Sequence, residues 1–302
     1  MRPRKVVLKP AVAGRPVLRA GEPFAGYTVV RLLGEGATSV VYLAHAPGGA
    51  PVALKLMALS DEALATPAKA QPLKDLFAAE AALARRLDHP NIAQVVDAGM
   101  LGPWAWLACE AAPGVPLLRY TQPRRLLPAP LVFRLMALVA QALQHAHSRG
   151  VVHRDIKPAN LIVDLPHLGL KVTDFGLARV HGGFHTGTGV VLGSPAFLAP
   201  ELLAGAEATP AGDLYALGVT LYQLLTGQLP FEGHSLGELL RSVAQQAAPP
   251  LERLRPELDG AASALVAALL SKPATSRPPS AGWVADRLAG LATAPASASS
   301  AG

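Results

Sequence analysis

The chain has 302 residues, 51% hydrophobic and 16% charged, which is enough apolar material for a large core and too apolar for an extended disordered chain. Its one cysteine, Cys109, excludes an internal disulfide and fits a reducing, cytoplasmic setting. The net charge of +6 reads first as an Arg-rich, solvated face, with an acidic or phosphate-bearing partner as the sharper alternative; no nucleic-acid motif or aromatic-interleaved basic patch accompanies it, so no nucleic-acid partner is expected.

Residues 1–26 are rich in Pro, Gly and Arg, follow no period, and read as an N-terminal extension without the apolar region of a signal peptide. Three strands follow at 27–34, 39–46 and 52–57, with the turn PGGA at 47–50 joining the last two, so a meander is expected. Residues 60–72 carry two prolines and read as a loop, while 73–87 has helical periodicity that stops at the breaker cluster DHPN. Two more short strands, 93–99 and 104–110, flank a Gly-Pro turn. Beyond Pro113 the pattern becomes helical. An amphipathic helix at 129–149 is closed by Gly150, short apolar segments lie at 160–164 and 169–174, and helical patterns recur at 211–226, 235–246, 261–270 and 280–291. The end of the chain, 291–302, is low-complexity and reads as a disordered tail. No uncharged apolar run reaches the length that spans a bilayer, so no membrane segment is expected. The pattern is α+β with two lobes: 27–112, a small antiparallel sheet with one helix, and 113–290, mainly helical.

Several stretches carry chemistry rather than pattern. LGEGATSVV at 33–41 joins two strands, and Gly34 and Gly36 let backbone N–H groups approach a phosphate. A glycine-bearing hairpin turn has the same look, and no Gly-Lys-Ser/Thr of a Walker loop follows. Lys55, in VALK at 52–55, lies in an apolar strand, where a charge is costly unless paired. It either snorkels at a strand edge or meets Glu80 on the helix downstream and is aimed at phosphate oxygens. In HRDIKPAN at 153–160, five polar side chains crowd before an apolar run. Asn160 and Asp174, the latter at the end of a second apolar strand, are oxygen ligands suited to Mg²⁺. Asp155 is then free to accept the proton of an attacking hydroxyl, and Lys157 to neutralise a transferring phosphoryl group. GSPAFLAPE at 193–201 suits a substrate platform, Asp213 opens an apolar helix, and Arg277 is the expected distant partner of Glu201.

Taken in order, these stretches resemble the Hanks-type (eukaryotic-like) serine/threonine protein kinases found in bacteria: the Gly-rich loop, the strand lysine, the helix acid Glu80, HRDIKPAN, Asp174-Phe175-Gly176 and Ala199-Pro200-Glu201. The similarity covers residues 27–290. It implies a bilobal kinase fold, ATP with Mg²⁺ (or Mn²⁺), and transfer of the γ-phosphoryl group to Ser/Thr hydroxyls of proteins. It also implies roles for single residues. Lys55 would hold the α- and β-phosphates, paired with Glu80, and Asp155 and Lys157 would serve the transfer. Asn160 and Asp174 would hold the metal. Gly34, Glu35, Gly36, Ala37, Thr38, Ser39 and Val41 would belong to the phosphate loop. Leu33, Val40 and Ala53 would cover the adenine ring, Ile162 would floor it, and Glu110 to Ala112 would form the hinge behind Cys109. Ser194 would contact Asp155 and Lys157. Thr186 and Thr188 would be autophosphorylation sites whose phosphate pairs with Arg154, with a homodimer for transfer in trans. Ser39 departs from the third loop glycine, and Cys109 is smaller than usual at its position. The rival readings are a pseudokinase scaffold, which would normally lack Lys55, Asp155 or Asp174, and a small-molecule kinase, which would normally lack the segment ending in Ala-Pro-Glu.

Overall fold

The computed structural model describes residues 18–36, 39–59, 67–175, 195–258 and 260–293, with the backbone alone for 67–70. β-Branched and aromatic residues alternate with half-exposed ones along β3 (Ser39–His45) and β4 (Pro51–Ala58), so Val40, Tyr42, Ala44, Val52, Leu54 and Leu56 fall on one buried face. These strands join β1 (Pro23–Phe24), β2 (Tyr27–Glu35), β5 (Val95–Leu101) and β6 (Trp104–Glu110) in a six-stranded antiparallel sheet of order β1-β2-β3-β4-β6-β5. The expected meander is thus present in β2 to β4. β1 lies in the stretch that carries no sequence period, because two residues are too short to show one. Its Phe24 is nonetheless buried with Tyr27, Val29 and Trp106.

The helix α1 spans Pro67–Arg85, so the expected loop over 60–72 is corrected from residue 67 onward, and 60–66 lie outside the described residues. The two prolines read as breakers. Pro67 instead occupies the helix's first position, where a missing N–H costs nothing, and Pro72 is accommodated inside it.

The chain divides into two compact units. One runs to Ala81 and resumes over Val95–Ala111; the other takes Ala82–Gln94 and the chain from Ala112 onward. The second unit holds a small antiparallel sheet of β7 (Val115–Pro116), β8 (Leu161–Asp164) and β9 (Gly169–Val172). Its helices are α2 (Ala129–His147), α3 (Pro200–Leu203), α4 (Pro210–Thr226), α5 (Leu236–Gln245), α6 (Gly260–Leu269) and α7 (Ala281–Thr293). α2, α4 to α7 and the two strands β8 and β9 start and stop within two residues of the sequence reading. Apolar residues of α2 at helical spacing, among them Val132, Met136, Val139 and Leu143, are buried against α4 and α7. Each such side chain contributes about 1.5–3 kcal/mol by leaving water. α4 and α6 approach so closely at Gly218 that a Cβ there would lie 2.7 Å from that of Leu269. Among the described residues, no helix is long and apolar enough to cross a membrane.

Candidate active site

In the first unit, register decides which side chains share a face. Lys55 stands opposite Val41 on β3 and Leu107 on β6, and Ala53 stands opposite Leu43 and Cys109. Directly paired residues point to the same side of a sheet, so Val41, Ala53, Lys55 and Cys109 lie together on the side away from the buried face. Lys55 is half-buried, and Glu80, on α1 of the same unit, is buried at 7% exposure; neither is without a partner. The register corrects one expectation. Val40 stands opposite Leu56 and is buried with Leu54 in the unit's core, so it does not share a side with Ala53. Val41 does. The glycine stretch lies at the exposed end of the β2–β3 hairpin. There Gly34 pairs with Val41, Glu35 pairs with Val40, and the Gly36 N–H donates to the Ser39 carbonyl at 2.7 Å. Leu33 is exposed beside it. Glu110, at the end of β6, and Ala112, just beyond, are half-buried.

The second unit builds the HRDIKPAN loop upward from a buried carboxylate. Asp213, in the first turn of α4, is 1% exposed. Its Oδ2 accepts the His153 N–H and meets His147 Nε2, both at 2.8 Å, and its Oδ1 accepts the Arg154 N–H at 2.8 Å. These bonds hold Arg154 at φ 70°, a left-handed conformation rare for a side-chain-bearing residue. His153 is fully buried. Its Nδ1 accepts the Asp155 N–H at 3.2 Å, so that nitrogen carries no proton, and Nε2 donates to the Thr173 carbonyl at 2.8 Å. Its ring also meets the edge of Phe175, with centroids 4.4 Å apart. One histidine thereby ties the loop to the end of β9.

On that frame the polar cluster is tight. Lys157 Nζ donates to both carboxylate oxygens of Asp155, at 2.9 and 2.7 Å. Asn160 Nδ2 donates to the Asp155 carbonyl at 2.8 Å and to its Oδ2 at 2.9 Å. Because the amide nitrogen is engaged there, Asn160 offers its Oδ1 elsewhere. The Thr173 N–H and hydroxyl both donate to the Asn160 carbonyl, at 2.9 and 3.1 Å, which places Asp174 next in the chain, at φ 68°. Asn160 and Asp174 thus stand on neighbouring backbone segments, and an amide oxygen and a carboxylate are ligand types that suit a hard cation such as Mg²⁺. Ile162 stands between the buried Leu161 and Val163 and so faces the other side of the small sheet.

The expected Glu201–Arg277 pair is formed as a two-pronged bridge of 2.6 and 2.7 Å. Arg277 also donates to the carbonyls of Ala211, Ser271 and Lys272, so its buried guanidinium is fully used. Close by, Tyr215 is buried, which pushes its hydroxyl well above the ordinary tyrosine range. Burial, with Arg277 adding to it, pushes the Lys272 ammonium down to about 8. Ala37, Thr38, Gly176, Thr186, Thr188 and Ser194 lie outside the described residues. The roles of His153, Thr173 and His147 were not drawn from the sequence. The signal for Asp213 was there: an acid on an otherwise apolar helix must be paired somewhere.

Comparison with known proteins gives a consistent result. The protein kinase domain signature matches residues 27–286. The serine/threonine-protein kinase PknJ of Mycobacterium tuberculosis is 37% identical over 88% of this chain and 45% of its own length. PrkC of Bacillus subtilis is 35% identical over 77% of this chain and 35% of its own. Pkn2 of Myxococcus xanthus is 34% identical over 87% and 32%. The chain thus spans less than half the length of these curated relatives. In fold it resembles the crystal structure of Rad53 1-466 in complex with AMP-PNP, with a TM-score of 0.71 at 22% identity, covering 87% of this chain and 64% of that one.

Proposed function

This chain belongs to the protein kinase domain family, and on that premise we propose that it is a serine/threonine protein kinase that moves the γ-phosphoryl group of ATP to Ser and Thr hydroxyls of proteins. The observation that carries the reading is the Asp155–Lys157–Asn160 cluster, held by the buried Asp213 and His153. Asp155, fixed by Lys157 and Asn160, would orient the attacking hydroxyl and take its proton. Lys157 would turn from Asp155 to the phosphoryl group in transfer. Lys55 and the backbone of the glycine stretch would hold the remaining phosphates. Bound by Asn160 and Asp174, Mg²⁺ (or Mn²⁺) would neutralise phosphate charge. Phosphoryl transfer asks for positioning and charge stabilisation more than for covalent chemistry, which is what these residues supply. Val41, Ala53 and Cys109 share the side of the sheet that carries Lys55, which supports their assignment to the adenine ring, with Ile162, Leu33 and Glu110 to Ala112 completing it.

The same reading takes residues 27–112 and 113–290 as the two lobes, a cytoplasmic location, and a homodimer in which Thr186 and Thr188 are phosphorylated in trans and engage Arg154. Nothing in the site favours the scaffold alternative, since Lys55, Asp155 and Asp174 are all present. The test is to incubate the chain with Mg²⁺, γ-labelled ATP and a generic protein, then map the phosphate by mass spectrometry. Phosphate on Ser and Thr, including Thr186 or Thr188, is expected. ATP binding without transfer to any residue would return the chain to the scaffold reading.

A further inference from the structure

The charge of this chain is unevenly distributed. Between Glu110 and Asp155 lie six arginines, no lysine and no acidic residue, so this stretch alone carries a charge equal to the whole chain's +6. A solvated surface normally mixes the two signs. Arg149 has a contact of its own, donating to the His145 carbonyl at 3.3 Å, and Arg154 is not without a partner. Arg119, Arg124 and Arg125 are different. All three are exposed, and among the described residues no ion pair or hydrogen bond engages their side chains; the same holds for Arg134, but it stands apart from them on α2.

Their backbone is held firmly. They sit on two successive short turns, Leu117–Tyr120 and Pro123–Arg125. Leu117 is fully buried, and the Thr121 hydroxyl donates to the Leu118 carbonyl at 2.9 Å. Pro123 abuts Gly227 at the end of α4, where a Cβ would lie 3.3 Å from its ring. The first turn packs against Pro158–Asn160, the segment that follows Lys157 directly in the catalytic cluster. Three guanidinium groups with no partner among the described residues therefore sit on a fixed platform beside the loop that would present the target hydroxyl. An extended peptide advances about 3.3 Å per residue, so side chains a few positions from the target are within reach. Guanidinium groups recognise carboxylates with two parallel hydrogen bonds.

We propose that Arg119, Arg124 and Arg125 select protein substrates whose target Ser or Thr is flanked by Asp and Glu. The proposal rests on the kinase reading of the neighbouring cluster, and its test separates the two. Three synthetic peptides carry one Thr flanked by acidic, neutral-polar or basic residues, and each is assayed with the chain and with the triple variant Arg119→Gln/Arg124→Gln/Arg125→Gln. With exposed pairs contributing modestly each, the acidic peptide is expected to show a KM roughly tenfold below the neutral one, at similar kcat, with the advantage shrinking as salt rises. In the triple variant the acidic-to-neutral ratio of kcat/KM falls to about one, the value that the removal of all three charge pairs dictates. Charge reversal to Glu at the same three positions inverts the preference. Equal use of acidic and neutral peptides by the unaltered chain overturns the platform and leaves the kinase reading intact. A triple variant that loses the three peptides alike also overturns it. If no peptide is phosphorylated, the kinase reading fails, and fluorescence anisotropy of the labelled acidic peptide still decides whether the three arginines bind it. Tighter binding of a single-stranded oligonucleotide than of the acidic peptide at those arginines replaces the proposal with a nucleic-acid surface.

Discussion

Lys55 and Asp155 are both half-buried charges in an apolar setting, but they are positioned by different means. Lys55 stands on a strand, and its place follows from alternation and from register with Val41 and Leu107. Asp155 stands on a loop, and its place depends on side chains far away in sequence: His153 bridges to Thr173, and Asp213 holds two backbone N–H groups across about 60 residues. The strand residue borrows a frame that exists anyway, whereas the loop residue needs a buried polar network built for it. The first arrangement separates function from stability; the second couples them.

Breaking the network should therefore have the largest effect on the fold. Asp213→Ala leaves the N–H groups of His153 and Arg154 and the His147 ring without their shared acceptor, and is expected to destabilise the chain by about 3–5 kcal/mol and to abolish activity. Chemical denaturation measures the first and a transfer assay the second. Next is Arg277→Met, which strands the Glu201 carboxylate and frees three carbonyls. About 3 kcal/mol is expected, and Arg277→Lys recovers little of it because an ammonium lacks the two-pronged geometry. Lys55→Met sharpens the other side of the comparison. Activity should fall at least about 100-fold while the unfolding free energy drops by less than it does in Asp213→Ala, since methionine fits a half-buried strand position.

The smallest effect concerns pH. His89 and His145 lie ring against ring, 5.0 Å between centroids, and His145 Nε2 is buried with no partner among the described residues. Burial lowers the pKa of both below 6.5. His145, Lys171 and Arg149 add to the effect at His89, and Arg149 adds to it at His145, against a raising influence of Asp88 on each. Below pH 6.5 the unfolded chain takes up protons that these folded rings resist, so their contribution to stability is present at neutral pH and is lost as the solution is acidified. His145→Phe should lose less stability than the unaltered chain between pH 7 and pH 5, read from thermal melts at each pH.

The same contrast explains what the sequence could disclose. Strands and long helices were legible because their periods are local. The α1 start was not, because a proline reads as a breaker whether it stops a helix or begins one. The side of the sheet taken by Val40 or Val41 could not be chosen either, since both are valine and only pairing with β4 decides. In the site, the residue types of HRDIKPAN and Asp174 announced themselves, as did the Glu201–Arg277 pair. The support from His147 and Thr173, and the partners of Asp213, did not, because they join segments whose separation only the fold closes.

The most direct test compares initial rates of phosphoryl transfer by the chain and by Asp155→Asn, a change that keeps the shape and one of the two oxygens that accept from Lys157. A rate lower by about 10²–10⁴ is expected, with a chain that is still folded at the assay temperature. Equal rates, or a loss fully explained by unfolding, would contradict the claim that Asp155 is the group that receives the hydroxyl proton.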